Sequence, residues 1–502
     1  MKYSSTRGKN TSVSAAEAIK MGIAPDGGLF VPDSIPKVSA PTWRQMANLT
    51  YQQRACDILA LYLEEFTVEE IRVCVEGAYN TRSFDDERIA PLVRLSEGVY
   101  IQELWHGPTC AFKDMALQLL PHLMVTSARK TGEQDQIVIL VATSGDTGKA
   151  ALEGFKDIAG IRIIVFYPQD GVSEVQKRQM VTQSGANVFV AAVEGNFDDA
   201  QNGVKQLFSD SSFRDILAQQ GMKLSSANSI NWGRLLPQIV YYISAYADLL
   251  ADGQLQEGDK VNVVVPTGNF GNILAAFYAR QMGLPIKRLI CASNANNVLT
   301  EFIRTGLYDR NRVFVKTLSP SMDILISSNL ERLLFELTGH DAERVSTWME
   351  ELKTKGKYQV DPATAAQIDH LFWADFSSDD ETHMTIRSIW QDKRYLLDTH
   401  TAVACNVYEK YLLATADHTP AIIASTASPF KFGKSVAEAI LPPEMLAGED
   451  EYAILKKLSA FTGVPIPAGL HDLEQRVVLH TTVTSKEAMG ESVFKYLNIA
   501  SN

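Results

Sequence analysis

A lysine with apolar neighbours lies where a predicted helix begins. The segment His106–Gln118 contains a Gly-Pro turn, then the apolar pair Ala111 and Phe112, and then Lys113. A lysine at such a junction is usually a solvated surface charge. Here the apolar flanks favour burial, which would lower the pKa of the ammonium group and give an amine that can form a Schiff base. Lys113 is therefore the candidate nucleophile.

Two glycine-containing turns could hold anions. Ala142–Gly148 connects an apolar predicted strand to a helix, and so does Pro266–Asn272. Such a turn exposes backbone N–H groups at the positive end of a helix, where a carboxylate or phosphate binds well. An ordinary βα turn would explain the first segment equally well. In the second, two glycines allow close backbone approach, but the spacing is neither that of a dinucleotide fingerprint nor that of a P-loop. This argues against a nicotinamide or ATP enzyme.

A further segment, Ser425–Phe432, brings hydroxyl groups to the end of another predicted strand. Hydroxyls at the carboxyl end of a parallel strand face the crevice in which α/β sheets bind ligands, although a polar loop ended by proline is the simpler explanation. The histidines are scattered, and His400 and His418 have no partners at metal-ligand spacing, so we expect no metal. The chain also contains no G-x-S-x-G elbow of a serine hydrolase.

Strands that alternate with helices must position these segments. From about residue 91, short β-branched runs separated by helical stretches predict parallel βαβ units, because continuous apolar runs are typical of strands covered on both faces. The predicted strands are Ile137–Thr143, Ile161–Tyr167, Asn187–Val193, Val261–Val265, Arg288–Ala292 and Ala421–Ala424. The expected fold class is α/β with a parallel-sheet core.

The first 90 residues have a different pattern and are predicted to be mostly helical. Ser14 can cap a short helix that ends before Gly22. The stretch Tyr51–Phe66 has apolar residues at helical spacing, and Thr67 opens a capping box before the next helix. Residues 1–90 are therefore expected to form an N-terminal domain.

The rest of the chain divides into a core and an insertion. Residues 91–320 and 396–502 carry the predicted strands and are expected to form the catalytic core. Between 321 and 395 the strand signal vanishes, and Leu330–Lys355 is charged and amphipathic. These residues predict a helical insertion, in which Ser377–Glu381 is expected to be a solvated loop.

The overall charge limits the possible partners. Lys and Arg number 47 against 59 Asp and Glu, a net charge of −12, so the mean field repels nucleic acid and anionic membrane. An anionic ligand must be held by local basic residues or backbone N–H groups. The longest purely apolar stretch, Ile137–Ala142, is far shorter than the roughly 18 residues of a membrane span. The N-terminal residues lack an apolar signal core, so we expect a cytoplasmic protein that binds neither nucleic acid nor membrane.

An amine nucleophile and two anion cradles on a parallel sheet are what a pyridoxal phosphate enzyme needs. The chain also resembles the threonine synthase family, which belongs to the fold type II pyridoxal phosphate enzymes related to the tryptophan synthase β-subunit. The resemblance covers nearly the whole chain and is carried by Tyr3–Gly8, Pro25–Pro32, His106–Gln118, Ser144–Gly148, Phe197–Ala200 and Gly268–Asn272. It implies an α/β fold with a parallel-sheet core in two lobes, a mainly helical N-terminal domain and a helical insertion.

The resemblance also implies roles for individual residues. Lys113 would be bonded to pyridoxal 5'-phosphate, and the Thr426 hydroxyl would meet its pyridine nitrogen. The cup for the cofactor phosphate would consist of Gly268, Asn269, Phe270, Gly271 and Asn272. The residues facing the substrate carboxylate would be Thr143, Ser144 and Thr147. Those holding the substrate phosphate would be Asn228, Ser229 and Arg234, the last with two parallel hydrogen bonds.

Two positions depart from the pattern of the relatives. Ser428 stands where many of them have a histidine. Asp146 stands where related enzymes often have an asparagine that donates to the 3-oxygen of the cofactor. An ionised carboxylate would repel a phenolate, so either the two share a proton or Asp146 points elsewhere.

The activity implied by the resemblance is the conversion of O-phospho-L-homoserine and water into L-threonine and phosphate by a monomer or homodimer. One alternative is another lyase of the same fold, such as a threonine or serine dehydratase, but the segment Asn228–Arg234 and the long N-terminal region argue against it. A second is a catalytically silent binding protein, against which Lys113 argues. A nucleotide-binding protein is the weakest alternative because neither glycine turn has the required spacing.

Overall fold

The N-terminal region is mostly helical, as predicted. The computed structural model describes residues 1–8, 12–143, 145–169 and 172–500. The elements of this region are β1 (Tyr3–Ser5), α1 (Ala15–Met21), β2 (Phe30–Pro32), α2 (Ala40–Met46), α3 (Tyr51–Tyr62) and α4 (Val68–Ala78). Ser14 and Thr67 accept hydrogen bonds from the backbone N–H of Glu17 and Glu70, whose side chains accept in return from the cap residues. Both predicted helix starts are therefore confirmed.

Strands and helices alternate in the next part of the chain. The elements are β3 (Leu92–Ser96), β4 (Val99–Glu103), α5 (Lys113–Leu117), α6 (Leu120–Lys130), β5 (Gln136–Ala142), α7 (Asp146–Phe155), β6 (Ile161–Pro168), α8 (Glu174–Val181), β7 (Val188–Val193), α9 (Phe197–Ser209), α10 (Ser211–Gln219), β8 (Met222–Ser225), α11 (Trp232–Ala251), β9 (Val261–Pro266), α12 (Gly271–Met282), β10 (Ile286–Ser293), α13 (Val298–Thr305) and β11 (Leu307–Asp309). Each strand predicted here is present, with ends within two residues of the prediction. The sequence did not predict β3, β4, β8 or β11. β3 and β8 lie at sheet edges and are only partly buried, so they lack a continuous apolar run.

The predicted helical insertion also contains strands. Its elements are a 3₁₀ turn (Pro320–Met322), α14 (Leu330–Leu337), α15 (Ala342–Lys355), β12 (Lys357–Gln359), α16 (Pro362–Leu371), β13 (Phe372–Phe376) and α17 (Asp379–Lys393). β13 pairs in parallel with β10, so the expectation that this region has no strand was wrong. The signal is weak because β13 is short and follows α16 without a turn. The predicted loop was also wrong, since Ser378 and Glu381 form a capping box that begins α17.

The C-terminal part of the chain adds one strand to each of the two large sheets described below. Its elements are α18 (Thr399–Thr415), β14 (Ala421–Ser425), a 3₁₀ turn (Pro429–Phe432), α19 (Gly433–Ile440), a 3₁₀ turn (Pro443–Met445), α20 (Glu451–Thr462), a 3₁₀ turn (Leu473–Gln475), β15 (Thr482–Thr484) and α21 (Met489–Leu497). β14 lies between β9 and β4, whereas β15 pairs with β7.

Two sheets form the core, which agrees with the expected two-lobed α/β fold. Within the described residues, one sheet has the order β13-β10-β9-β14-β4-β3 and is parallel except for β3. The other has the order β15-β7-β6-β5-β8 and is parallel throughout. Because β9 and β14 are neighbours, the turns that follow them meet at one edge of the sheet, where α/β proteins bind ligands. Nowhere in the described ranges is a helix both long and apolar enough to cross a membrane.

Candidate active site

Lys113 is the first residue of α5 and is largely buried. Its side chain is 11% exposed, and its Nζ lies 3.5 Å from Asp146 Oδ2. Burial lowers the pKa of the Lys113 amine to about 8; Asp146 opposes this shift, whereas the positive charges of Arg234 and Lys431 add to it. The direction agrees with the prediction made from the apolar flanks of Lys113.

The lysine segment is joined by backbone hydrogen bonds to the segment that follows β14. The Phe112 N–H donates to the Thr426 carbonyl oxygen at 2.8 Å, and the Ser428 N–H donates to the Cys110 carbonyl oxygen at 3.0 Å. Thr426 is buried beside this joint. The Ser428 hydroxyl accepts from the Phe430 N–H and so caps the 3₁₀ turn. The structure thus brings two of the predicted segments together.

Asp146 begins α7 and is surrounded by donors. Gln176 Nε2 donates to its Oδ1 at 2.8 Å, and the Ser321 hydroxyl donates to its Oδ2 at 3.0 Å. Lys431 Nζ lies 3.2 Å from Oδ1. Burial alone would raise the pKa of Asp146, but Lys431 and Lys113 together hold that pKa well below its ordinary value. The carboxylate is therefore ionised, and its charge is compensated by two amines.

The turn after β5 is organised by Thr143. Its Oγ1 accepts hydrogen bonds from the backbone N–H of Gly145 at 3.0 Å and of Gly148 at 2.9 Å. Thr147 is half-buried in the first turn of α7. Ser144 lies outside the described residues. The substrate roles of these three hydroxyl residues stay predictions.

The turn after β9 leaves an unused donor at the start of α12, among the described residues. Phe270 has a φ of 67°, and this left-handed residue leads into Gly271 as the first helical position. The buried Asn272 Nδ2 has no hydrogen-bond partner within the described chain, while its Oδ1 accepts from the Tyr242 hydroxyl. A Cβ on Gly271 would meet no atom closer than 3.5 Å. The N-terminus of this helix therefore offers an anion cradle with a spare donor.

Residues of the predicted insertion hold the first half of this cradle. The Ser327 hydroxyl donates to the Gly268 carbonyl oxygen at 2.7 Å, and Asn329 Nδ2 donates to the Asn269 carbonyl oxygen at 3.1 Å. A Cβ on Gly268 would lie only 2.8 Å from the Ser321 carbonyl oxygen. Gly268 is therefore required for close packing of the insertion against the turn.

Arg234 is a buried cation at the start of α11. Its NH1 donates to the Ala227 carbonyl oxygen at 2.9 Å, and no carboxylate in the described part of the chain pairs with it. Burial lowers the pKa of Arg234 to about 10. Nearby in the same segment, Asn228 Oδ1 is buried and has no hydrogen-bond partner among the described residues, and Ser229 Oγ lies 3.3 Å from Ser328 Oγ. An uncompensated buried guanidinium is a site for an anion, and Arg234 is not the exposed helix charge that would be its ordinary alternative.

Sequence reasoning missed two further cations that are fully buried. Lys431 is fully buried, and its Nζ donates to the Thr109 carbonyl oxygen at 2.6 Å. It stands between two phenylalanines, the same apolar-flank signal that indicated the first lysine. Arg332 in α14 is also fully buried and donates to the carbonyl oxygens of Phe30 at 2.9 Å and Ile230 at 2.6 Å. Its charged, amphipathic surroundings in the sequence gave no such signal.

Comparison with known protein families covers most of the chain. Residues 2–79 match the family described as "Threonine synthase N terminus", residues 83–377 match "Pyridoxal-phosphate dependent enzyme", and residues 401–488 match "Threonine synthase, C-terminal". The chain is 39% identical to threonine synthase of Saccharomyces cerevisiae over 466 residues, which is 87% of this chain and 89% of the yeast protein. The chain belongs to the threonine synthase family. The predicted family is thus confirmed.

Other threonine synthase relatives agree in fold and differ in length. A crystal structure of threonine synthase from Brucella melitensis, described as bound to pyridoxal phosphate, matches with a TM-score of 0.87 and 37% identity over 99% of both chains. Human threonine synthase-like 1 is 42% identical over 460 residues, or 90% of this chain and 61% of the human protein. The chain therefore spans about three-fifths of the length of that relative.

The cofactor of the threonine synthase family is pyridoxal phosphate, and the site fits this group. Asn272 Nδ2, which has no hydrogen-bond partner among the described residues, suits a phosphate, and the Lys113 amine with its lowered pKa suits an aldehyde. The expected cofactor is confirmed, whereas the residue assignments around it stay predictions. No three histidine, cysteine, aspartate or glutamate side chains converge as metal ligands among the residues that the structure describes.

Proposed function

We propose that this chain converts O-phospho-L-homoserine and water into L-threonine and phosphate, acting as a carbon–oxygen lyase on a phosphorylated amino acid. The observation that carries the proposal is Arg234, a buried cation that pairs with no carboxylate among the described residues and whose charge also lowers the pKa of Lys113. Leaving such a charge unpaired is costly, and the phosphate of the substrate would compensate it. The substrates of a threonine or serine dehydratase have no phosphate and would leave Arg234 unpaired.

Lys113 would act both as the attachment point of the cofactor and as the proton carrier. Pyridoxal phosphate supplies an electron-withdrawing ring that acidifies Cα of the bound amino acid. Once the substrate amine has replaced Lys113, the lysine Nζ is a free amine next to Cα. With a pKa of about 8, a useful fraction of this amine is unprotonated near neutral pH and can accept the Cα proton. The Thr426 hydroxyl would meet the pyridine nitrogen and leave it unprotonated, so the charged groups of the protein must contribute more to stabilising the carbanion.

The other assigned residues would bind the ends of the substrate and the cofactor. Arg234 would hold the phosphate both before and after it leaves Cγ, and Asn228 and Ser229 would add polar contacts. Loss of the α and β protons precedes loss of phosphate from Cγ. A proton then adds to Cγ, the hydroxyl of water adds to Cβ, and a proton returns to Cα. The substrate carboxylate would face Thr143, Ser144 and Thr147. The cofactor phosphate would bind the segment Gly268–Asn272, with Asn272 Nδ2 as a side-chain donor.

A cytoplasmic location and a monomeric or homodimeric state stay predictions from the sequence.

The proposal is tested by incubating the full chain with pyridoxal phosphate and O-phospho-L-homoserine and measuring threonine and phosphate together. Equal molar amounts are expected, with none from Lys113→Ala. Release of phosphate with 2-oxobutanoate and ammonia in place of threonine would identify an eliminating lyase. Cofactor binding without any turnover would favour the catalytically silent alternative.

A further inference from the structure

We propose that Lys431 is a positioning residue that compensates the charge of Asp146 and thereby allows the Lys113 amine to be uncharged when it acts. The proposal rests on the role of Lys113 given above. Lys431 has no role in the reaction proposed above. It is nevertheless fully buried and lies next to the same carboxylate as the candidate nucleophile.

The two lysines approach different oxygens of the same carboxylate. Lys431 Nζ lies 3.2 Å from Asp146 Oδ1, whereas Lys113 Nζ lies 3.5 Å from Oδ2. Lys431 is also anchored by the Thr109 carbonyl oxygen at 2.6 Å and is not exposed at all. Lys113 has the longer contact and remains 11% exposed. Lys431 is therefore the fixed ion-pair partner of Asp146, whereas the Lys113 side chain can move away from the carboxylate.

The remaining groups around Asp146 cannot replace Lys431. Gln176 and Ser321 donate hydrogen bonds but carry no charge. His400 also lies near Asp146, but its Nε2 accepts the Ser321 N–H at 3.2 Å and so donates no hydrogen bond to the carboxylate. The positive charge of Arg234 acts on Lys113, and the ion pairs of Asp146 among the described residues are those with Lys113 and Lys431. Lys431 and Lys113 are thus the cations that compensate Asp146.

This arrangement decides the protonation of Lys113. If Lys431 were absent, Asp146 would attract a proton to Lys113 and hold it there, since opposite charges a few ångströms apart stabilise each other strongly when buried. A protonated amine has no lone pair, so it can neither attach to an aldehyde nor accept the Cα proton. With Lys431 present, Asp146 is already compensated, and burial can lower the pKa of the Lys113 amine.

The experiment measures how attachment of pyridoxal phosphate to Lys113 depends on pH in the full chain, with borohydride trapping and peptide mapping. Lys431→Met should move the midpoint of attachment to higher pH by about one unit, so that attachment at a fixed lower pH is about tenfold slower. Asp146→Asn should move the midpoint to lower pH, and the double variant should lie near the wild type. Lys149→Met is the matched control, since this buried lysine pairs with Glu153 at 2.8 Å and should not shift the midpoint.

An unchanged midpoint in Lys431→Met would overturn the proposal, because a lysine that only satisfied the Thr109 carbonyl oxygen would alter stability and not the protonation of Lys113. If Lys431→Met does not fold, Lys431→Gln keeps a donor in that position and should show the same upward shift. If borohydride labels another lysine in the wild type, the proposed function is what fails. The two failures are therefore distinguishable.

Discussion

The backbone N–H of Phe112 donates to the carbonyl oxygen of Thr426 at 2.8 Å. An antiparallel bridge between Ala111 and Ala427 continues this joint. Because the contacts are made by the backbone, they hold the lysine segment against the segment after β14 whatever side chains the two segments carry. Substitutions of the functional side chains should therefore change chemistry without separating the two segments.

Lys113→Ala should abolish turnover and leave the fold intact, because the variant lacks the primary amine to which the cofactor attaches. The wild type should attach pyridoxal phosphate faster as pH rises through about 8, since the unprotonated amine is the reactive form and burial lowers its pKa. The measurements are circular dichroism, turnover, and borohydride reduction followed by peptide mapping. A label on a lysine other than Lys113 would refute the assignment.

Gly271→Ala should weaken cofactor binding about tenfold or more while leaving stability nearly unchanged. The new Cβ would make only ordinary contacts with the described protein atoms, the nearest being Asn329 Nδ2 at 3.5 Å, so the fold should tolerate it. The cofactor phosphate must approach the backbone at Gly271 closely, and the Cβ would hinder that approach. Gly203→Ala is the control, since its Cβ would clash with Met489 Sδ in a part of the fold away from the site. That variant should lose stability and retain the cofactor. Full cofactor occupancy of Gly271→Ala after dialysis would contradict the phosphate cup.

Arg234→Leu should reduce kcat/KM for O-phospho-L-homoserine by about 30-fold to several thousand-fold, which corresponds to roughly 2–5 kcal/mol for a buried charge-assisted contact. Analogues that lack the phosphate should be affected very little. The temperature of thermal unfolding should change little, because the guanidinium donates to a single carbonyl oxygen, that of Ala227, and pairs with no carboxylate among the described residues.

Arg234→Lys provides the comparison for this prediction. It keeps the charge but loses the planar pair of donors, so it should recover only part of the activity. Equal losses on phosphorylated and unphosphorylated substrates would show that Arg234 supports the structure and that the phosphate binds elsewhere.

Arg332→Met should lower the free energy of unfolding by about 3 kcal/mol, because buried acceptors would lose their donor. These acceptors include the carbonyl oxygens of Phe30 and Ile230 and the side-chain oxygen of Asn329. Urea denaturation measures the change. Arg344→Met, in an exposed position of α15, should change stability by only about 0.5 kcal/mol. Similar values for the two variants would mean that Arg332 does not hold these segments together.

The sequence by itself determined the features that depend on near neighbours in the chain. The capping boxes at Ser14 and Thr67 and the βαβ strands of the core are encoded within a few consecutive residues, so periodicity and cap residues were sufficient. The apolar flanks of Lys113 likewise predicted its burial and the direction of its pKa shift.

Only the tertiary structure decided how charges are compensated at the site. The partners of Asp146 come from α5, α8 and two 3₁₀ turns, and those of Arg332 come from β2 and the segment before α11. The place of β13 beside β10 depends equally on pairing between distant segments. Coulomb attraction and burial depend on distance in space, and no local pattern of residues records which remote side chains will share one carboxylate.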